Sequence, residues 1–121
     1  MSTIKVDTIK DTNNVEVYTA KAWVNFDGTT ATIRSDGNVT SITDNGTGNF
    51  TVNFTNAMTD NNYSYCINGW KSAAYSPHAD IYFGGSSYST YVTTSSIQIG
   101  FAGTSGFTVS DPNVMSVVIF R

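Results

Sequence analysis

The clearest pattern along the chain is the alternation of apolar and polar residues in short runs. In the run 49–55, Phe50, Val52 and Phe54 alternate with Asn and Thr. This alternation is typical of a β-strand with one face in a core and the other in water. Similar runs predict strands over residues 22–26, 29–34, 38–43, 49–55, 63–70, 79–83, 97–101 and 114–120.

Turn residues separate these runs. Asp27-Gly28 and Asp36-Gly37 each lie between two alternating runs. Asp-Gly in that setting predicts a tight hairpin, because the two central positions of a type I′ turn need positive φ. The chain is therefore expected to be all-β, with an antiparallel, jelly-roll-like β-sandwich over residues 21–121 and no helix longer than a turn or two.

Residues 1–20 differ from the rest of the chain. This segment contains five charged side chains and two short alternations, Ile4/Val6 and Val15/Val17. The alternations are too weak to predict a core strand. We therefore interpret the segment as an extended N-terminal arm that becomes ordered against a partner.

The last predicted strand, 114–120, is apolar on both faces. A strand in a small sandwich has one inner face, so its other face must be covered by the protein's own loops or by another subunit. If another subunit provides the cover, Met115, Val117 and Ile119 are the predicted interface residues. The opposite face carries Val114, Val118 and Phe120.

Composition excludes helical folds. The chain has 18 Thr, 14 Ser and 12 Asn but no Leu, one Glu and one Gln. The residues that build amphipathic helices are nearly missing, whereas residues that suit a pleated sheet are abundant. A helix bundle, a coiled coil and a Rossmann-type domain are therefore ruled out.

Charge, hydrophobicity and cysteine content limit the classes of partner and the cellular compartment that fit this chain. The net charge is −3 and the six Lys and Arg residues are scattered, so no nucleic acid partner is expected. No apolar run approaches the roughly 18 residues of a membrane helix, so no membrane insertion is expected. The opening residues lack the pattern of a signal peptide. Cys66 is the single cysteine, which is consistent with folding in a reducing cytoplasm.

The chain lacks the residues of a recognisable catalytic or metal site. His78 is the single histidine and falls in a predicted loop, and Glu16 is the single glutamate and falls in the arm. Asp44-Asn45-Gly46 has too few oxygen ligands for a calcium loop, and Cys66 lacks partners for zinc. We therefore predict no catalytic residue, no cofactor and no metal.

Aromatic residues are the most informative feature of the second half. Tyr and Trp among small polar neighbours are typical of recognition surfaces, because their rings offer large contact area at low entropic cost. Trp70 and Tyr82 fit such a surface or a core position. The predicted binding residues of the stretch 71–96 are Tyr75, His78, Tyr88 and Tyr91.

The first half contains several distinctive runs: Ser2–Thr8, Ala22–Gly28, Ile33-Arg34, Gly37–Val39, Ser41–Gly48 and Phe50–Phe54. These runs resemble tail-fibre-like proteins of bacteriophages, in particular those of cyanobacterial and marine phages. The resemblance covers residues 2–58, and the second half does not share it. One departure is that the chain has no long repetitive shaft.

The resemblance implies a structural virion component, made in the host cytoplasm and located on the tail. It implies a short homotrimeric tail fibre whose arm docks on tail or baseplate proteins, and we assign that contact to Ile4, Val6 and Ile9. The outer loops would adhere to a glycan or protein of the host surface. The alternative is a trimeric capsid decoration protein with a purely stabilising role, which the missing shaft keeps open.

Overall fold

A computed structural model describes residues 2–72, 78–82, 84–104 and 108–121 of the protein. The predicted all-β class is confirmed, because the chain forms two antiparallel sheets packed against each other. The strands are β1 (Ala22–Asp27), β2 (Thr32–Gly37), β3 (Val39–Gly46), β4 (Asn49–Phe54), β5 (Ser64–Trp70), β6 (His78–Ile81), β7 (Ser96–Thr104), β8 (Thr108–Val109) and β9 (Val114–Phe120), and the one-turn helix α1 spans Tyr88–Tyr91.

The strands are shared between a four-stranded and a five-stranded sheet. The four-stranded sheet has the order β2-β1-β9-β5. The five-stranded sheet has the order β3-β4-β7-β6, with β8 paired to β7. Strands β1 and β9 lie side by side although they come from opposite ends of the sandwich sequence, so the last strand is inserted between β1 and β5.

The core lies between the two sheets and is built mainly from the inward-facing apolar residues of the alternating strands. Phe26 of β1 packs edge-on against Phe50 of β4, with ring centroids 5.4 Å apart. Such edge-to-face pairs stabilise a core beyond the area they bury. Other fully buried side chains include Val24, Val52, Ile97, Ile99, Phe101, Met115, Val117 and Ile119.

The orientation of β9 corrects the sequence-based assignment of a subunit interface. Met115, Val117 and Ile119 point between the sheets and are buried in the core of a single chain. They are therefore not available to another subunit. The opposite face of β9 is the one that remains accessible, since Val118 is half-buried and Phe120 is exposed.

The first hairpin forms as predicted, but its turn is longer than two residues. The left-handed position is Ala31, with φ of 53°, and not Gly28. The Asp27 carboxylate accepts a hydrogen bond from the backbone N–H of Thr29 at 2.8 Å, which begins the turn. Gly28 is needed for space, because a Cβ atom there would lie 2.5 Å from Cδ of Pro112.

Asn38 joins the two sheets at the point where the chain leaves β2 for β3. Its φ is 58°, a conformation that Asn tolerates better than most residues. The side-chain amide donates to the carbonyl oxygens of Lys21 at 2.9 Å and Asn56 at 3.1 Å. Its amide oxygen accepts from the N–H of Asn56 at 2.8 Å. One side chain therefore ties three segments together at this crossover.

The arm makes a narrow hairpin outside the core. The N–H of Val17 donates to the carbonyl of Ile9 at 2.7 Å, and the Asp11 carboxylate accepts from the N–H of Asn13 at 2.8 Å. Every residue from 2 to 19 is exposed. The sandwich therefore has its core without any contribution from the arm.

Candidate functional site

A cleft of about 720 Å³ opens beside the edge strand β6. It brings together three of the four predicted binding residues, His78, Tyr88 and Tyr91. The fourth, Tyr75, lies outside the described residues. The cleft is lined by His78, Asp80, Ile81, Tyr82, Gly85, Ser86, Tyr88 and Tyr91.

Strand β6 supplies one wall through its alternation. His78 and Asp80 are exposed, whereas Ala79 and Ile81 pack against the core cluster. The strand is fixed by its antiparallel pairing with β7, in which His78 is opposite Ala102. This pairing presents an imidazole and a carboxylate on the same side of the strand, because residues two apart share a face.

The other wall is α1 together with the loop before it. Tyr91 is buried, and its ring meets that of Tyr82 edge-on at 5.5 Å. The Tyr91 hydroxyl oxygen accepts a hydrogen bond from the backbone N–H of Ser86 at 3.1 Å. A Cβ atom at Gly84 would lie 2.5 Å from the Tyr82 ring, so the loop passes close to both tyrosines. Tyr91 therefore shapes the cleft instead of projecting from it.

Tyr88 is the aromatic side chain that a ligand can reach. It is 49% exposed on the rim of the cleft. The segment that follows α1 is anchored, because the Tyr63 hydroxyl donates to the carbonyl of Thr93 at 2.9 Å. Tyr88 thus stands on a short helix that is held from both ends, by the Tyr91 and Tyr63 contacts.

Tyr65 of β5 lies near the cleft, and the sequence did not predict this position. Burial raises the pKa of the Tyr65 hydroxyl, and the nearby Tyr88 and Asp80 raise this pKa further. Tyr65 therefore remains neutral and able to donate a hydrogen bond well above neutral pH. In the sequence Tyr65 belongs to an alternating run, and this pattern predicts a core position for it. Its approach to Tyr88 of α1 depends on the packing of the two sheets, since β5 and α1 are distant along the chain.

The cleft is suited to binding a polar ligand with flat apolar faces. Phenol hydroxyls, an imidazole and a carboxylate supply hydrogen-bonding groups, and the Tyr88 ring supplies a stacking surface. Among the described residues there is no group of three or more His, Cys, Asp or Glu placed to hold a metal ion.

The remaining predicted residues lie on two other surfaces. Ile4, Val6 and Ile9 are exposed on the arm, and the arm borders a second cleft, of about 690 Å³, that reaches Phe120. Trp70 does not fill the core, since it is 57% exposed on the outer side of the four-stranded sheet.

Comparison with known proteins found no match to this chain among family models, curated proteins or solved structures. In the part of the chain that the structure describes, no helix has the length and apolar character needed to cross a membrane.

Proposed function

We propose that the protein is an adhesive structural component of a bacteriophage tail, a short homotrimeric fibre that binds the host surface. The observation that carries the proposal is the convergence of His78, Tyr88 and Tyr91 on one cleft. A cleft with an exposed tyrosine and neutral and charged polar groups fits recognition of a surface glycan or protein. The resemblance of residues 2–58 to tail-fibre-like proteins supports the phage context.

The arm supports attachment to the particle. Ile4 is 88% exposed, and Val6 and Ile9 are also exposed, although all three are apolar. Exposed apolar side chains on a segment outside the core are expected to find cover on a partner. In the proposed function that partner is a tail or baseplate protein.

A trimeric capsid decoration protein remains the second candidate. The observation that favours it is that the described residues form a sandwich and a short arm, with no repetitive shaft among them. The two functions differ in the location of the protein and in whether the cleft binds the host.

Replacement of Tyr88 by Ala is expected to weaken host binding strongly. An exposed ring that stacks on a ligand often contributes 2 kcal/mol or more, which corresponds to about a 30-fold loss of affinity. Purified wild-type protein should compete with phage for adsorption to host cells, and Tyr88→Ala should need about 30 times the concentration. Val109→Ala is the matched control, because it truncates another exposed apolar side chain, 43% exposed on β8 and outside this cleft. Equal competition by wild type and Tyr88→Ala would remove the cleft from host binding.

Deletion of residues 1–20 is expected to leave the sandwich folded but absent from particles. The reason is that all buried core side chains come from residue 22 onward. Far-ultraviolet circular dichroism should match that of the full chain, while phage assembled with the truncated protein should lack it on immunoblots. Incorporation of the truncated protein, or its failure to fold, would contradict the assignment of the arm.

A further inference from the structure

The outer face of the four-stranded sheet carries an unusual concentration of apolar side chains. Trp23 is 40% exposed, Trp70 is 57% exposed and Phe120 is 44% exposed. These exposures mean that the part of the chain described by the structure leaves the face uncovered. Contiguous exposed apolar surface on a small protein usually marks an interaction site. We define the outer face by Trp23, Cys66, Trp70, Val114, Val118 and Phe120.

Strand register places these side chains in rows. Val118 lies opposite Trp23 on β1 and opposite Cys66 on β5, which makes one row across three strands. The neighbouring row on the same face is polar, with Ser116 opposite Asn25 and Asn68. Neither row contains a charged side chain. The centre of the outer face is therefore neutral and has aliphatic and aromatic groups beside amides and a hydroxyl.

Trp23 packs closely against β2 on this face. It lies directly opposite Gly37 of β2, and its indole ring extends over that glycine. A Cβ atom at Gly37 would lie 2.8 Å from Cδ1 and 2.9 Å from Cε2 of Trp23. Only glycine leaves room for the ring in this place. A large side chain that is already ordered loses little further entropy on binding.

We propose that the outer face is the surface on which copies of this chain meet. Around a three-fold axis the same side chains of all three copies approach one another, so a face without charge avoids repulsion between like charges. Its aliphatic centre with aromatic anchors matches the composition of subunit interfaces, which are depleted of charge at their core. It also accounts for β9, whose second apolar face is only partly covered within the described chain.

The outer face supplies part of the surface that a stable assembly needs. Four strands about 4.8 Å apart and six or seven residues long form a surface of roughly 400 Å². A standard interface buries about 800 Å² on each partner, so adjoining surface must contribute. The arm is adjacent, since Val17 and Tyr18 line the cleft that reaches Phe120. The exposed base of the arm therefore adjoins the outer face and adds charged groups to its rim, since Asp7, Glu16, Lys21 and Arg121 line the same cleft.

This inference deepens the proposed function, because it identifies the interface of the proposed trimer. Its test uses purified protein without phage or host cells. Self-association of the purified protein therefore tests the interface, whereas competition with phage for adsorption tests adhesion, and the two proposals can fail separately.

The chain offers natural reporters for the experiment. Both of its tryptophans and its single cysteine lie on the outer face, and Cys66 is exposed there. Sedimentation velocity of the full-length protein over a concentration series should show an assembly of about three times 13.1 kDa. In the assembly, Cys66 should react with a maleimide at least tenfold more slowly than in a monomer, and tryptophan emission should shift to shorter wavelength.

Matched variants make the test specific. Phe120→Asp should give a folded monomer with fast Cys66 labelling, because a charge at the face opposes association. Val109→Asp is the control, since Val109 has nearly the same exposure, 43%, but lies on β8 of the other sheet. This control should remain assembled with slow labelling. A wild type that stays monomeric, or an assembly in which Cys66 reacts as fast as in Phe120→Asp, would overturn the inference.

Discussion

Val117→Asp is expected to unfold the sandwich, whereas Val118→Asp on the same strand is expected to leave it folded. Val117 is 1% exposed and lies in the core between the sheets. Burial of an unpaired carboxylate there costs several kcal/mol, which is comparable to the whole stability of a domain of this size. Val118 points to the outer face, where water can solvate the charge.

The two variants differ by one position and test the orientation of β9 directly. At 25 °C, Val117→Asp should lack the near-ultraviolet circular dichroism signal of the folded protein. On heating, it should show no cooperative unfolding transition. Val118→Asp should retain both and lose self-association. The reverse outcome, with a folded Val117→Asp and an unfolded Val118→Asp, would show that the strand faces the other way.

Gly48→Ala is expected to destabilise the protein by about 3 kcal/mol, for two independent reasons. Gly48 has φ of 64°, and a residue with a Cβ in that region costs roughly 1–2 kcal/mol. A Cβ would also collide with the backbone carbonyl oxygen of Phe101 and lie 3.0 Å from the N and O atoms of Ser110. Overpacking of this kind typically adds another 1–3 kcal/mol.

The collision falls where Gly48 connects three segments. Its carbonyl accepts from the N–H of Phe101 at 2.9 Å, and its own N–H donates to the Asp111 carboxylate at 2.8 Å. A shift of the backbone would weaken both hydrogen bonds. Thermal unfolding should show a decrease in Tm of about 10 °C or more.

Gly85→Ala is the control for the conformational part of this cost. Gly85 also has positive φ, 84°, but a Cβ there meets no atom within 4 Å. We expect a loss of about 1 kcal/mol. Equal losses in the two variants would mean that steric exclusion at Gly48 contributes nothing.

The alternation of residues predicted most of the strands, because one face of each strand is apolar and the other is polar. The run around Val52 is the clearest case, and β4 forms there. The same rule failed to orient β9, whose two faces are both apolar. Its orientation depends on pairing with distant strands, since Val117 lies opposite Val24 of β1 and Ile67 of β5.

The candidate site was only partly predictable. Tyr88 and Tyr91 are close in sequence, so a local pattern could suggest a common surface. The burial of Tyr91 could not be predicted from its polar neighbours, because it results from the edge-on contact with Tyr82. Tyr65 was missed for the same reason, since its place near Tyr88 depends on tertiary contacts. The outer face likewise appears only when Trp23 and Trp70 are placed on β1 and β5.

The proposed role is tested most directly by the location of the protein on assembled particles. Gold-labelled antibodies against the sandwich should bind purified phage and be imaged by electron microscopy. A tail fibre should place the gold at the tail or baseplate in nearly every labelled particle. Gold distributed over the head lattice would contradict the fibre and support the decoration protein, and particles without any label would contradict both.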